Sequence, residues 1–285
     1  MAKAYHYHLR DLCRVLGVPR SSYYAWRDRG PSARQQQNER LRKKLAEIFV
    51  ANRSVYGSPR LAVCLRTQGI ACSRNRVARH MRALQLKARQ KRAFKPQTTD
   101  SRHPHPIAPN ELEGQVKPQA INQVWVGDIT YVATAQGWLY LAAVMDLCSR
   151  KIVGWTTSDS LETPLVKAAL QQAWADRRPA AGLLYHSDRG SQYASSAFRA
   201  LLHSCHMRPS MSGRGNCYDN ATMESFWSSL KTEWLHQQNF QTRAQAHSAI
   251  FDYIETFYNP KRLHSALGYQ SPMNFEHNNP QLNQK

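Results

Sequence analysis

Acidic side chains, closely spaced cysteines and long apolar runs are all scarce in this 285-residue sequence. No stretch approaches the roughly 18 uninterrupted apolar residues of a membrane-spanning helix, and the opening MAKAYHYHLR has no apolar signal core. The expectation is a cytoplasmic chain with no membrane partner. The six cysteines (Cys13, Cys64, Cys72, Cys148, Cys205, Cys217) are scattered, and no two are separated by only two residues. That excludes zinc-ribbon and redox-pair spacings and leaves reduced, mostly structural thiols. Asp and Glu number 19 against 39 Lys and Arg, a formal charge of +20. The deficit is local: residues 1–100 hold 23 basic and 5 acidic side chains, residues 101–285 hold 16 and 14. So concentrated a positive field suits a polyphosphate, because each neutralised phosphate releases condensed counterions. A membrane-surface helix would gather Trp, Phe and Leu opposite its basic face, and no such segment is present. Nucleic acid is the expected partner.

The length suits a catalytic domain with a full core plus one or two small modules. Leu9, Leu12 and Leu16 are helically spaced, Gly17-Val18-Pro19 breaks the helix, and Ser21 is placed to cap a second helix bearing Tyr23, Tyr24 and Trp26. This helix-turn-helix pattern recurs: a helix over 59–68, a turn at Gly69-Ile70, Ser73 as N-cap, then a helix with Val77, Met81 and Leu84 inward and Arg74, Arg76, Arg79 and Arg82 outside. Any small helical bundle shows such apolar spacing. The arginines on the second helix tip the reading toward a major groove. Between the units, residues 38–51 read as an amphipathic helix on Leu41, Leu45 and Ile48. A basic run (Lys87, Arg89, Lys91, Arg92, Lys95) and a proline-containing stretch then make a linker, its basic end either tracking DNA backbone or merely solvated. His103 and His105 lie there without companion ligands.

Near Gln123 the composition changes. VWVGDITYV, WLYLAAVMDL and KIVGWT are three β-branched and aromatic runs parted by short turns, the pattern of an antiparallel meander. A helix at about 163–175, the short apolar LLYHSD strand, a helix near 194–204 and a further strand and helix complete an α/β core with a mixed sheet. A last amphipathic helix, about 242–257, carries Ala246, Ile250, Ile254 and Phe257. In the NPKRLHSALGYQSP segment after it, Arg262 and His264 are candidates to hold DNA, while Leu263, Leu267 and Tyr269 pack.

Asp128 falls inside the first strand, where a carboxylate is costly to desolvate unless paired. Asp188 ends the LLYHSD strand, where α/β folds place ligands. Either alone reads as a structural acid. Glu224 adds a third carboxylate on a helix whose apolar stripe is Met223, Phe226/Trp227, Leu230 and Trp234, with Lys231 two turns on along the same face. A surface salt bridge is the plainer reading of that pair. Together the three acids offer an all-oxygen site for Mg²⁺ or Mn²⁺, and two such ions support in-line attack on phosphate. Asp146, on the adjacent strand, reads as a supporting acid. Asp219 lies in the Gly- and Asn-rich loop before the helix, where Gly213, Gly215 and Asn216 suit either a flap over DNA or plain flexibility. His186 and Arg189 suit a scissile-phosphate contact or a structural role equally.

The interval from Asp128 to Asp188 leaves 59 residues between them and that from Asp188 to Glu224 leaves 35, with Lys231 seven on. This resembles the Asp-Asp-35-Glu signature of retroviral integrases and bacterial insertion-sequence transposases. The strings WVGDITYV, AVMDLCSRKIVGW, HSDRGSQY, SGRGNCYDNATMESFWSSLK and YNPKRLHSALGYQSP resemble the insertion-sequence group whose full-length protein joins two overlapping frames. YGSPRL and SRNRVARHMRALQL resemble that group's accessory helical domain. The likeness runs over essentially the whole chain. It implies a ribonuclease-H-like α/β catalytic core with a mixed five-stranded sheet, preceded by an all-α helix-turn-helix DNA-binding region. The implied segments are 1–35 (helix-turn-helix), 36–88 (accessory DNA-binding domain), 89–120 (linker), 121–235 (catalytic core) and 236–285 (C-terminal helix and basic tail).

The resemblance also implies that Asp128, Asp188 and Glu224 are catalytic and bind two Mg²⁺, or Mn²⁺ in their place. Water would cut one strand at an element end, and the freed 3′-hydroxyl would attack another phosphodiester, in this group first joining the element's two ends into a circle. Expected DNA contacts are Lys231, Arg74, Arg76, Arg79, Arg82, Lys87, Arg89, Lys91, Arg92, Arg189, Arg214 and Arg262. Expected partners are double-stranded DNA (terminal inverted repeats and target), further copies of the chain on that DNA, and an upstream-frame protein or fusion. The sequence has neither the His-His-Cys-Cys zinc spacing of retroviral integrases nor a leucine-zipper heptad run. A nuclease on the same fold, or a non-catalytic DNA-binding regulator, are the competing functions.

Overall fold

The computed structural model describes residues 7–89, 106–112, 118–213 and 221–282. Three strands, β1 (Val124–Thr134), β2 (Gly137–Asp146) and β3 (Ile152–Ser158), form the expected antiparallel meander. The β1–β2 turn is tight because Gly137 takes φ +98°, a conformation that glycine adopts without steric cost. Two short strands, β4 (Leu184–Ser187) and β5 (Arg208–Met211), add parallel to the other side of β1, giving the order β3-β2-β1-β4-β5.

The sheet is buried on both faces, and strand alternation sorts its side chains between two cores. Trp125, Ala142, Val144, Val153 and Tyr185 pack with helix α6 (Thr163–Arg177) and with α7 (Ser191–Ala194) and α8 (Ser196–Ser204). Gly154 lets α6 lie on the sheet: a Cβ there would stand 2.3 Å from the Ala169 carbonyl oxygen and 2.7 Å from the Ala173 nitrogen. Residues of the opposite parity, Val126, Val132, Ala143 and Met145, meet α9 (Ala221–Glu233) and α10 (Arg243–Phe251). The helix after α10 continues as a π-helical stretch, Asp252–Tyr258, which turns Tyr253, Ile254, Phe257 and Tyr258 all inward.

Upstream lie α1 (Leu9–Val15), α2 (Arg20–Arg27), α3 (Ala33–Ala51), α4 (Ser58–Thr67) and α5 (Arg74–Ala83). α2 starts at Arg20 with Pro19 at the N-cap position, so Ser21 lies inside the helix and does not cap it. α3 begins five residues earlier than its apolar stripe suggests, because Ser32 and Gln35 form a reciprocal capping box. Ser73 caps α5 as expected, accepting from the Arg76 N–H. The three helices α3–α5 share one continuous core with the C-terminal segment. Tyr56 packs on Phe257, and its hydroxyl donates to the Lys261 carbonyl and accepts from the Leu263 N–H. Arg53 pairs with Asp252 at 3.0 Å while its guanidinium lies 4.2 Å over the Trp234 ring.

Candidate active site

The parallel β1–β4 register pairs Val124 with Leu184 and Val126 with His186, an offset of 60. Asp188 lies just past the end of β4, where its charge reaches Asp128, whose side chain shares a face of the sheet with Val126. That is the face covered by α9, whose first turn carries Glu224. Trp227, one turn further on, donates its indole N–H to Asp128 Oδ2 at 2.9 Å, and the Ile129 N–H donates to Oδ1 at 2.8 Å. Asp188 Oδ1 accepts from the Gly190 N–H at 2.9 Å, which fixes the turn leaving β4.

The electrostatics tie the three acids together. Burial raises the Asp128 carboxyl to about 7, the negative field of Asp188 adds to that, the bonds from Trp227 and Ile129 oppose it, and Glu224 raises it slightly further. Asp128 and Asp188 are half-buried and Glu224 is exposed. Among the described residues, no three His, Cys, Asp or Glu side chains are drawn together tightly enough to ligate one ion as they stand. Lys231 is half-buried with its ammonium 4.8 Å from the Tyr131 ring centre, and burial lowers its pKa against the pull of Asp128. It therefore lies toward β1 and within the field of the strand carboxylate.

Beneath the acids, Tyr185 and Tyr193 are fully buried phenols whose hydroxyls share a hydrogen bond. Burial, then the charges of Asp128 and Asp188, hold the Tyr185 hydroxyl far above its ordinary pKa. Gly127 accommodates that ring: a Cβ there would sit 2.0 Å from the Tyr185 hydroxyl.

Several candidates make contacts within the fold. Asp146 is wholly buried and accepts from the backbone N–H of Asn122, Cys148 and Ser149, so it holds the β2–β3 turn and does not support the three acids. The ring nitrogens of buried His186 lie 2.9 and 3.2 Å from the hydroxyls of Ser210 and Ser212. Arg189 donates to the Ser212 carbonyl at 2.7 Å. Arg262 is only 5% exposed, because it forms a two-pronged ion pair with Glu233 that Tyr253 completes. Such a guanidinium is committed to Glu233 within the protein, where an exposed DNA contact was expected.

Arg74, Arg79, Arg82 and Lys87 are exposed, whereas Arg76 is half-buried with its guanidinium on Asn38 at 2.9 Å. Arg89 donates to the Glu233 carbonyl. Lys91, Arg92, Lys95, Arg214, Gly215, Asn216 and Asp219 lie outside the described residues. The sequence reading missed the bond from Trp227 to Asp128, because Trp227 fits the apolar stripe of α9. Its one polar atom was the available signal, since a buried indole N–H seeks an acceptor. No helix among the described residues is long and apolar enough to cross a membrane.

Comparison with known proteins gives the arrangement a family. Two models, each described as an integrase core domain, match residues 118–217 and 224–279, and an HTH-like domain matches 36–94. The chain is 46% identical over 264 residues to the insertion element IS600 31 kDa protein of Shigella sonnei, covering 93% of this chain and 97% of that one. It is 41% identical over 276 residues to the transposase InsF for insertion sequence IS3A of Escherichia coli K12, covering 96% and 95%. Among solved structures, the simian T-cell lymphotropic virus intasome in complex with PP2A regulatory subunit B56 gamma aligns with a TM-score of 0.47 at 15% identity, over 82% of this chain and 74% of that one. With relatives of that identity spanning nearly its full length and an integrase core on either side of residues 218–223, the chain belongs to the insertion-sequence transposases of the IS3 kind, DNA-binding polynucleotidyl transferases that carry out DNA transposition.

Proposed function

We propose that the transposition chemistry is performed at Asp128, Asp188 and Glu224, which together hold two divalent ions, Mg²⁺ or Mn²⁺. The observation that carries this reading is the bond from Trp227 on α9 to Asp128 on β1, which ties the helix bearing Glu224 to the strand carboxylate. Burial raises that carboxyl to about 7, with Asp188 and Glu224 both adding negative field. Like charges gathered in a partly desolvated space favour protons or cations. An all-oxygen donor set suits a hard cation, and Lys231 supplies only part of the compensating charge. When bound, such ions polarise the scissile phosphate and lower the cost of charge on the attacking and leaving oxygens.

The protein's own part is positioning. Trp227 and the Ile129 N–H each fix one oxygen of Asp128, and the Gly190 N–H fixes one of Asp188, so two of the acids present set lone pairs. Glu224 approaches from α9, where an exposed side chain can swing to close the set. In the first step water attacks the phosphorus at an element end and the 3′-oxygen leaves. In the second, the freed 3′-hydroxyl attacks another phosphodiester, forming one P–O bond as the other breaks. The exposed arginines of α5 and Lys87 bind the flanking duplex, and copies of the chain assemble on the paired ends.

The test is a labelled duplex bearing an element end, incubated with the purified chain and Mg²⁺ or Mn²⁺, comparing wild type with Glu224→Gln. Joined products that vanish in the variant support the assignment. Cutting without joining points to a nuclease, and unaltered joining in Glu224→Gln overturns the site.

A further inference from the structure

Alongside the acids, α9 walls a second feature, a groove of about 560 Å³ between α4, the turn after β2 and the C-terminal segment. Arg60, Arg89, Arg150 and Arg262 line it, and among the described residues the one carboxylate lining it is Glu233, which Arg262 already occupies. Arg60 and Arg150 are half-buried, and among the described residues neither has an ion-pair partner. Arg60 donates to the Leu263 carbonyl at 2.8 Å and Arg150 to the Thr222 hydroxyl at 2.5 Å, so both heads are anchored by neutral groups, and the one carboxylate whose field reaches Arg60, Glu233, is already held by Arg262. Burial lowers the pKa of each, which marks both charges as partly removed from water. His264, also lining the groove, is held neutral by its burial and by Arg262, Arg60 and Arg150, and its Nε2 is buried without a hydrogen-bond partner. Ser225 and Ser228 line the same space from α9.

A partly desolvated site with excess guanidinium charge and neutral donors is the chemistry that receives a phosphodiester. Ser225 follows Glu224 directly and Ser228 lies about one turn, roughly 6 Å, further along the helix. A strand whose scissile phosphate meets the acids on one flank of α9 thus has its neighbouring phosphates within reach of the other. We propose that Arg60, Arg150 and His264, with the α9 hydroxyls, form a phosphodiester subsite that grips the DNA strand next to the point of cleavage. The position of the subsite next to the point of cleavage rests on the assignment of Asp128, Asp188 and Glu224 as the catalytic acids, whereas its binding of phosphate does not.

The experiment measures duplex binding by the full chain as a function of salt, for wild type, Arg150→Gln, Ser228→Glu and Glu224→Gln, together with duplexes carrying one neutral methylphosphonate linkage near the cleavage point. Arg150→Gln is expected to weaken binding about tenfold at 0.1 M salt and to flatten the log–log salt slope by about 1. Ser228→Glu, which removes no anchoring bond, weakens binding similarly while its melting temperature stays that of wild type. One methylphosphonate position should weaken wild type and have no further effect on Arg150→Gln. Unchanged affinity and slope in Ser228→Glu, or methylphosphonate losses that add fully to that of Arg150→Gln, overturn the subsite. Glu224→Gln separates the two readings, because it should lose cleavage and keep binding whether or not the groove takes phosphate.

Discussion

Trp227 donates its indole N–H to Asp128 across the gap between α9 and β1, at 2.9 Å. The same helix carries Glu224, so one residue locks the helix-borne acid in register with the strand-borne one. Trp227→Phe keeps most of the packing and removes the bond. Its cost in stability should be modest, about 1 kcal/mol, since the carboxylate keeps the Ile129 N–H. The larger effect is on chemistry. The bond favours the charged carboxylate, so its loss lifts the Asp128 pKa further above about 7. Strand cleavage should slow about tenfold at pH 7, and the acidic limb of its pH profile should move to higher pH. An unmoved limb would show that Trp227 only packs.

The raised carboxyl also links pH, metal and stability. Asp128 sits at about 7 in the fold against an ordinary 3.8, so the folded state holds a proton that the unfolded chain has lost between those values. Stability should therefore fall as pH rises from about 4 to about 7 and level off beyond, by about 2–4 kcal/mol in all. In EDTA at pH 8, Asp128→Asn should melt higher than wild type. Added Mg²⁺ should raise the wild-type melting temperature and leave the variant unmoved. Apparent Mg²⁺ affinity should drop as pH falls below about 7, because ion and proton compete for one group. A wild type more stable than the variant in EDTA would contradict the shift.

Much of this was legible in the sequence, for reasons that differ by residue. The strands read clearly because β-branched and aromatic runs are dense there, and the carboxylates stood out because their spacing is itself the signal. The pairing of β1 with β4, whose ends bring the charge of Asp188 to Asp128, belongs to strand order, which no local pattern carries. Arg262 read as a DNA contact because an arginine in a basic tail is ordinarily exposed. What buries it is Glu233, 29 residues away, and a buried guanidinium is tolerable only with such a partner. The union of α3–α5 with the C-terminal segment rests on Tyr56 meeting Lys261 and Leu263 across more than 200 positions. Helical periodicity shows that a face is apolar and does not say what covers it.

Gly127→Ala tests the close approach under the acids. The added methyl would stand 2.0 Å from the Tyr185 hydroxyl and 2.7 Å from the ring carbon bearing it. The ring is fully buried and cannot swing away, so a loss of about 2–4 kcal/mol is expected. Tyr185→Phe in the same chain removes the hydroxyl alone and should recover part of the loss. Denaturant unfolding of the single and double variants decides it, and a neutral Gly127→Ala would mean that β1 shifts freely.

The arginines of α5 separate into two kinds. Arg74, Arg79 and Arg82 are exposed and should act only through charge. Replacing all three with Gln should flatten the salt slope of duplex binding by about 3, with little change in melting temperature. Arg76→Gln loses its bond to Asn38 on α3 as well, so it should also lower the melting temperature. An unaltered slope in the triple variant would take α5 out of the DNA interface.

Arg262 should behave in the opposite way. Its guanidinium holds both oxygens of Glu233, and the Tyr253 hydroxyl donates to the same carboxylate. Arg262→Gln leaves that carboxylate buried without its cation, which typically costs about 3–5 kcal/mol. Glu233→Gln strands the arginine at similar cost, whereas replacing both together should recover much of the loss, because no uncompensated charge remains. If Arg262 instead gripped DNA directly, its loss would flatten the salt slope while the melting temperature held. A double-mutant cycle on unfolding, run beside the binding titration, separates the two roles. Strong coupling with Glu233 and an unchanged slope is the expected result.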